Sequence, residues 1–261
     1  MARVRRRKLR FIPKSILFIL FLSLGYFGYS FFSGGNDDNK GDNIDNKVND
    51  KSNYNIQEKS VRYKQILLDV DPVYQYPDYP TGCESVSLYM LLSYYGIDVT
   101  IDDIIDELPK GPVPYGSGDN VKGANPEKEF VGNPKSKYAY GVFNGPIRQT
   151  ANKFKDGALT KKNVTVDDLY KILLKKNPIE VWFTTDLEEG IIYREQDKWY
   201  DYETGEIVRW PRHEHAILVT GIDSDYTYYN DPNTGKKEKL EIDKFNKFFQ
   251  QMDGRIVYYN N

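Results

Sequence analysis

The chain has 261 residues, of which 28% are charged, and a net charge of −2 at pH 7. This length allows one sizeable domain together with additional segments. The near-neutral charge hides a basic start, because the first fourteen residues contain no acid but include Arg3, Arg5, Arg6, Arg7, Lys8, Arg10 and Lys14. The rest of the chain is therefore acidic, which argues against nucleic acid as a partner.

A nearly continuous apolar stretch, residues 16–33, follows the basic segment of residues 1–15. A helix of this length spans roughly 25 Å, the short end of the range for crossing a bilayer. The basic flank predicts a cytoplasmic N-terminus. We predict a retained signal anchor in the cell membrane, with the remainder of the chain extracellular. Cleavage and secretion are the alternative, but the aromatic exit at residues 29–32 lacks the small residues of a cleavage site.

Residues 34–60 are rich in Asn, Asp and Lys and almost free of apolar side chains. Such a composition cannot offset the entropy lost on ordering, so we predict a disordered linker that spaces the body from the membrane. The folded domain is predicted to cover residues 61–261 and to begin with a strand over residues 65–70.

Helices dominate the first part of this domain. Three segments open with Thr followed three residues later by an acid, the pattern of a capping box, and begin at Thr81, Thr100 and Thr165. They predict helices reaching residues 95, 108 and 176, and a further helix is predicted over residues 146–154. Between the second and third helices, residues 111–145 form a long Gly- and Pro-rich loop, which is a candidate for gating a cleft.

The hydrophobic period changes to two in the second part of the domain, which predicts strands. The predicted segments are residues 179–185, a hairpin over 199–210 that turns at Thr204-Gly205, and residues 216–222, 226–230 and 255–259. Helices followed by mainly antiparallel strands predict an α+β fold rather than alternating βαβ units.

Cys83 is the only cysteine, so it cannot form an intrachain disulfide. With Thr81 as N-cap, Cys83 would occupy the second helical position, where free N–H groups and the helix dipole favour a thiolate. We therefore expect a low pKa for the thiol and a nucleophilic role. A buried core cysteine is the alternative, and Glu84 is expected only to cap the helix.

Two downstream residues supply the remaining groups of a cysteine hydrolase. His215 opens one predicted strand and Asp231 ends the next, so the turn at Asp223-Ser224-Asp225 would bring them together as base and orienting acid. Gln75 and the Cys83 backbone N–H are candidate oxyanion donors. His213 competes with His215 for the base role, but His215 adjoins the apolar strand; a His213/His215 metal pair has no supporting cluster of ligands.

The segment Gln75-Tyr76-Pro77-Asp78-Tyr79-Pro80-Thr81-Gly82-Cys83-Glu84 resembles the start of the C39-like cysteine peptidases. These are papain-fold bacterial proteins related to the peptidases that cut double-glycine leaders. Further matching segments are Phe130-Val131-Gly132, Tyr140-Gly141-Val142-Phe143, Glu214-His215-Ala216 and Asn230-Asp231-Pro232.

The resemblance implies a papain-like peptidase fold with no metal or organic cofactor. By position it makes Cys83 the nucleophile, His215 the base, Asp231 the orienting residue and Gln75 the oxyanion donor. It does not imply leader processing, because the chain carries no transporter segment and is predicted to face outward.

These observations predict a membrane-anchored, extracellular cysteine peptidase that acts on peptide or protein substrates through a thioester. Two alternatives remain open. One is a cell-wall amidase, endopeptidase or acyl transferase that uses the same triad. The other is a non-catalytic binding domain that retains the fold.

Overall fold

The computed structural model describes residues 63–260. The predicted basic segment, signal anchor and linker lie outside this range. Residues 61 and 62, at the start of the predicted domain, lie outside it as well. Within residues 63–260, no helix combines the length and the apolar character needed to span a membrane.

The described chain contains five helices and twelve strands, together with 3₁₀ turns at Gly118–Asn120 and Glu195–Asp197. The helices are α1 (Cys83–Tyr94), α2 (Ile101–Glu107), α3 (Asn144–Phe154), α4 (Val166–Leu174) and α5 (Ile242–Gln251). The strands are β1 (Ile66–Leu67), β2 (Lys110–Gly111), β3 (Lys122–Gly123), β4 (Phe130–Val131), β5 (Ala158–Lys161), β6 (Ile179–Thr184), β7 (Lys198–Asp201), β8 (Ile207–Arg209), β9 (Glu214–Ile222), β10 (Tyr226–Asp231), β11 (Lys236–Glu241) and β12 (Ile256–Tyr259).

A seven-stranded antiparallel sheet forms the centre of the domain, in the order β11-β10-β9-β6-β12-β5, with β1 also paired to β9. Alternate residues of β6 enter two separate hydrophobic clusters, as expected for a strand covered on both faces. Trp182 belongs to the cluster that includes α1 and α3, whereas Val181 and Phe183 belong to the cluster that includes α4 and α5. The predicted α+β class is confirmed.

The helices lie on both faces of the sheet, with α1 and α3 in one hydrophobic cluster and α4 and α5 in the other. Helix α5 follows β11 near the end of the domain and was not predicted. Its Phe245, Phe248 and Phe249 are fully buried, and Phe245 stacks on Phe183 with ring centroids 5.1 Å apart. The spacing of these aromatic residues is the helical signal for a buried stripe.

The capping boxes at Thr100 and Thr165 are confirmed. Each threonine side chain accepts from the backbone N–H of the aspartate three residues on, and that aspartate side chain accepts from the backbone N–H of the threonine. The hairpin of β7 and β8 is also confirmed. The loop over residues 111–145 is more structured than predicted, because β2 pairs with β4 and β3 pairs with β7.

Candidate active site

Helix α1 begins at Cys83, one residue later than predicted, and its N-cap is Gly82 without a side-chain capping bond. Thr81 is therefore not the N-cap: its hydroxyl instead donates to the carbonyls of Pro134 and Ser136. Cys83 is the first helical residue and still lies among N–H groups that have no intrahelical acceptor.

The Cys83 side chain is buried, with a residue exposure of 7%. Its Sγ donates to Glu84 Oε2 at 3.4 Å. Burial raises the pKa of the Cys83 thiol well above its ordinary value, and the Glu84 and Glu214 carboxyls raise it further, against a smaller lowering effect from the Ala216 backbone amide. The expected low thiol pKa is therefore wrong for this arrangement, because desolvation and two carboxyls outweigh the helix start.

His215 and Asp231 come together as predicted. His215 Nε2 lies 2.7 Å from Asp231 Oδ1, and β9 and β10 pair through the turn that follows Ile222. Burial raises the pKa of Asp231, but the hydrogen bond and charge of His215, with backbone N–H groups such as that of Asn233, outweigh it and leave the pKa below its usual value. This bond leaves Nδ1 as the ring nitrogen that can act on a thiol.

Helix α1 and strand β9 are fastened together beside the two catalytic candidates. Ser87, one turn after Cys83, donates to the carbonyl of Ala216 at 3.2 Å, and Ala216 directly follows His215. Within residues 63–260, no hydrogen bond joins Cys83 Sγ to His215. The thiol is directed at Glu84 instead.

Gln75 is buried in the loop that precedes α1, with an exposure of 3%. Its backbone N–H donates to the Pro232 carbonyl at 3.0 Å, which fixes it beside the end of β10. Its Nε2 donates to the Pro80 carbonyl at 3.3 Å, and its Oε1 is a buried atom with no hydrogen-bond partner within the described chain. Because an amide nitrogen carries two donors, one N–H stays available for an oxyanion.

Glu84 contacts both Cys83 and Val142, whereas the sequence predicts only a helix-capping role for it. Glu84 is fully buried, and its Oε1 accepts the Val142 N–H at 2.7 Å. A Cβ at Gly141 would lie 2.5 Å from Glu84 Oε1 and 3.1 Å from Glu214 Oε2. Only glycine fits at position 141. The segments Tyr140-Gly141-Val142 and Gly82-Cys83-Glu84 therefore pack directly against each other.

His213 lies outside the strand that carries His215. It precedes β9 with a φ of 66°, and its Nδ1 lies 2.9 Å from the Gly190 carbonyl. A His213/His215 metal pair therefore has no geometric basis. Two other groups each place three ligand atoms within 4.8 Å of one another: Cys83, Glu84 and Glu214, and Asp186, Glu189 and His213.

A cavity of about 410 Å³ opens beside these carboxyls and has Glu214 in its lining. Residues 137–140 form one wall and Trp210, Arg212 and His213 contribute to the other. Glu214 therefore lines the cavity and also places a carboxyl oxygen within 4.8 Å of Cys83 Sγ.

The substitution Asp231→Asn should lower the free energy of unfolding by about 2 kcal/mol at pH 7, the size of a charge-assisted hydrogen bond. Because the folded-state pKa of Asp231 is lowered, this stabilisation is present above about pH 4 and is lost as the pH falls through the folded pKa. Urea unfolding across this range measures the difference. Exposed Asp71→Asn is the control, and equal stability of Asp231→Asn and the unmodified chain at pH 7 would contradict the assignment.

Comparison with known proteins places this geometry in a family. Residues 67–257 match the model of the Peptidase_C39 like family. YvpB, an uncharacterized protein of Bacillus subtilis strain 168, is 33% identical over 180 residues, which cover 67% of this chain and 68% of that protein.

One solved structure supports the same grouping. A crystal structure from Bacillus anthracis, described as a candidate C39-like peptidase, has 25% identity and a TM-score of 0.66, covering 76% of this chain and 98% of that one. A double-glycine motif protease from an AMS/PCAT transporter, solved with its leader peptide, has 16% identity and a TM-score of 0.42, covering 77% and 98%, too distant to argue from. The family match and the Bacillus relatives show that the chain belongs to the C39-like peptidase family.

Proposed function

We propose that the chain hydrolyses peptide bonds of peptide or protein substrates, with Cys83 as nucleophile and His215 as base. The observation that carries the proposal is the 2.7 Å contact of His215 Nε2 with Asp231, at the strand end that is fastened to the helix bearing Cys83. An imidazole oriented by a carboxylate is the base that a thiol nucleophile requires.

The reaction follows from the positions of these groups. Cys83 Sγ turns from Glu84 and gives its proton to His215 Nδ1, and the thiolate attacks the substrate carbonyl carbon. The negative charge that develops on oxygen is stabilised by the second N–H of Gln75 and by the Cys83 backbone N–H. His215 then protonates the departing amine, and a thioester remains on Cys83.

Water completes the cycle. His215 removes a proton from a water molecule that attacks the thioester, and the proton returns to the sulfur as the acid product leaves. Asp231 keeps the imidazole in one orientation throughout and stabilises its charged form. Each proton lost by the sulfur or by water is gained by the amine or by the sulfur, so no cofactor enters the balance.

A buried thiol with a raised pKa favours a second candidate, a binding domain that keeps the fold. Cell-wall hydrolysis or acyl transfer through the same triad is a third outcome. Three substrates separate these functions. Cleavage of denatured protein or mixed peptides indicates a peptidase, transfer to an added amine acceptor indicates an acyl transferase, and cleavage of purified peptidoglycan indicates a cell-wall hydrolase.

Cys83→Ala should abolish hydrolysis, and His215→Gln should reduce kcat/KM by at least about 10²-fold, the usual contribution of a general base. His213→Gln should stay within about twofold of the unmodified chain, because His213 is held by Gly190. Peptide release is the measurement. A folded chain that cleaves nothing would favour the binding domain, and equal losses in both histidine variants would contradict the assignment of the base.

We further propose that residues 16–33 anchor the chain in the membrane and that the folded domain faces outward. The basic segment before this apolar stretch supports the orientation. In intact bacterial cells, added protease should cut the linker and release the domain, while the N-terminal segment stays in the membrane fraction. Protection of the domain until the cells are lysed would contradict the outward orientation.

A further inference from the structure

Glu84 contacts the candidate nucleophile directly, which a helix-capping acid does not need to do. Its two carboxyl oxygens serve two different partners: Oε2 accepts from Cys83 Sγ at 3.4 Å, and Oε1 accepts from the Val142 backbone N–H at 2.7 Å. The carboxyl therefore bridges the start of α1 and the chain segment that approaches α3.

The Glu84 carboxyl packs closely against the backbone of the segment that contains Gly141. On one side, a Cβ at Gly141 would already lie 2.5 Å from Oε1. The Val142 segment is itself fixed, because the Val142 carbonyl accepts from Trp182 Nε1 at 2.8 Å, and Trp182 is fully buried in β6. Hydrogen bonds thus link the Glu84 carboxyl through Val142 to the central sheet.

The charged groups around Glu84 come from three further elements. Glu214 of β9 places a carboxyl oxygen within 4.8 Å of the Glu84 and Cys83 ligand atoms. Glu180 of β6 is fully buried with both carboxyl oxygens unpartnered within the described chain, and its charge acts on Glu214. Arg255, just before β12, opposes these acids in its effect on Glu214.

Burial raises the pKa of Glu84 to about 7, against lowering effects from backbone N–H groups and Cys83. Burial raises the pKa of Glu214 well above its ordinary value, with the charge of Glu84 adding to the effect. Near neutral pH the cluster thus holds fewer negative charges than acids, which is how buried carboxyls avoid an unpaired charge.

We propose that Glu84 is a further catalytic residue, which holds the thiol proton of Cys83 in the resting enzyme and sets how much thiolate the site contains. The proton lies on the Sγ–Oε2 line in two forms of equal charge: thiol with carboxylate, and thiolate with carboxylic acid. Passage between them breaks an S–H bond and forms an O–H bond. When Sγ turns to His215, its proton goes to Nδ1, and Glu84 keeps only the Val142 N–H. This role deepens the proposed function and rests on Cys83 being its nucleophile.

The substitution Glu84→Gln tests the proposed role of Glu84 and keeps its contact with Val142. Its amide oxygen still accepts the Val142 N–H, and its amide nitrogen donates to sulfur, so a thiolate is favoured where the carboxylate opposed it. The 261-residue chain is reacted with iodoacetamide from pH 5 to 10, and Cys83 is the only reacting thiol. We expect the thiol pKa to fall by at least one unit and the rate at pH 7 to rise about tenfold.

Glu180→Gln is the matched control, because it neutralises a buried acid of the same cluster that does not touch the sulfur. We expect its rate to change less than threefold. An unchanged thiol pKa in Glu84→Gln, or an equal shift in both variants, would overturn the proposal. A helix-stabilising acid alone would alter the unfolding free energy and leave the alkylation profile as it was.

Circular dichroism establishes whether Glu84→Gln folds. If it does not fold, the pH dependence of the alkylation rate of the unmodified chain tests the proposal instead. A thiol and a carboxyl that share a proton titrate in two steps. A two-step rate profile with one step near pH 7 supports the proposal, and a single ordinary thiol step overturns it. Peptide hydrolysis is measured separately: a shifted thiol pKa in a chain that cleaves no substrate would preserve the role of Glu84 and remove the proposed function.

Discussion

A fully buried carboxyl group constrains the whole site. Glu84 satisfies its oxygens with the Cys83 thiol and the Val142 N–H, since leaving a buried acceptor unpaired costs about 1–3 kcal/mol. Those two bonds fix where α1 begins relative to the segment before α3. The close approach requires glycine at position 141, and Trp182 then anchors the same segment to the central sheet. The position of the nucleophile is thus a consequence of burying its neighbour.

The opposite side of the site is built from strand pairing. His215 begins β9 and Asp231 ends β10, and the antiparallel register brings these ends together. Ser87 fastens β9 to α1 through the Ala216 carbonyl, so the base and the nucleophile belong to elements that are held at a fixed separation. In this structure the Cys83 thiol is directed at Glu84 rather than at His215. The proposed reaction requires the thiol to turn from Glu84 towards His215.

Local patterns in the sequence were sufficient for much of this architecture. The alternating strands at residues 179–184 and 216–222, and the capping residues Thr100 and Thr165, follow from short-range chemistry. The His215–Asp231 contact could be predicted because one tight turn joins their strands. Helix α5 was missed although Phe245, Phe248 and Phe249 carry its signal, and the preceding strand β11 was missed because its sequence, Lys236–Glu241, is mostly charged.

The thiol environment could not be predicted in the same way. Thr81 and Glu84 have the spacing of a capping box, but Thr81 bonds to the 134–136 turn and Glu84 turns inward. Both choices depend on a segment more than fifty residues away along the chain. Glu180 and Glu214 approach Glu84 only once the sheet has formed, so the desolvation that raises the thiol pKa is a tertiary property.

The central claim is that Cys83 reacts while paired with His215, and one crystal structure tests it most directly. The chain treated with a peptide aldehyde should carry a thiohemiacetal on Cys83, with Sγ turned from Glu84 to hydrogen-bonding distance of His215 Nδ1. The oxygen of the adduct should lie between Gln75 Nε2 and the Cys83 N–H. An adduct that leaves His215 out of reach of the sulfur, or a thiol that stays on Glu84 unmodified, would contradict the account.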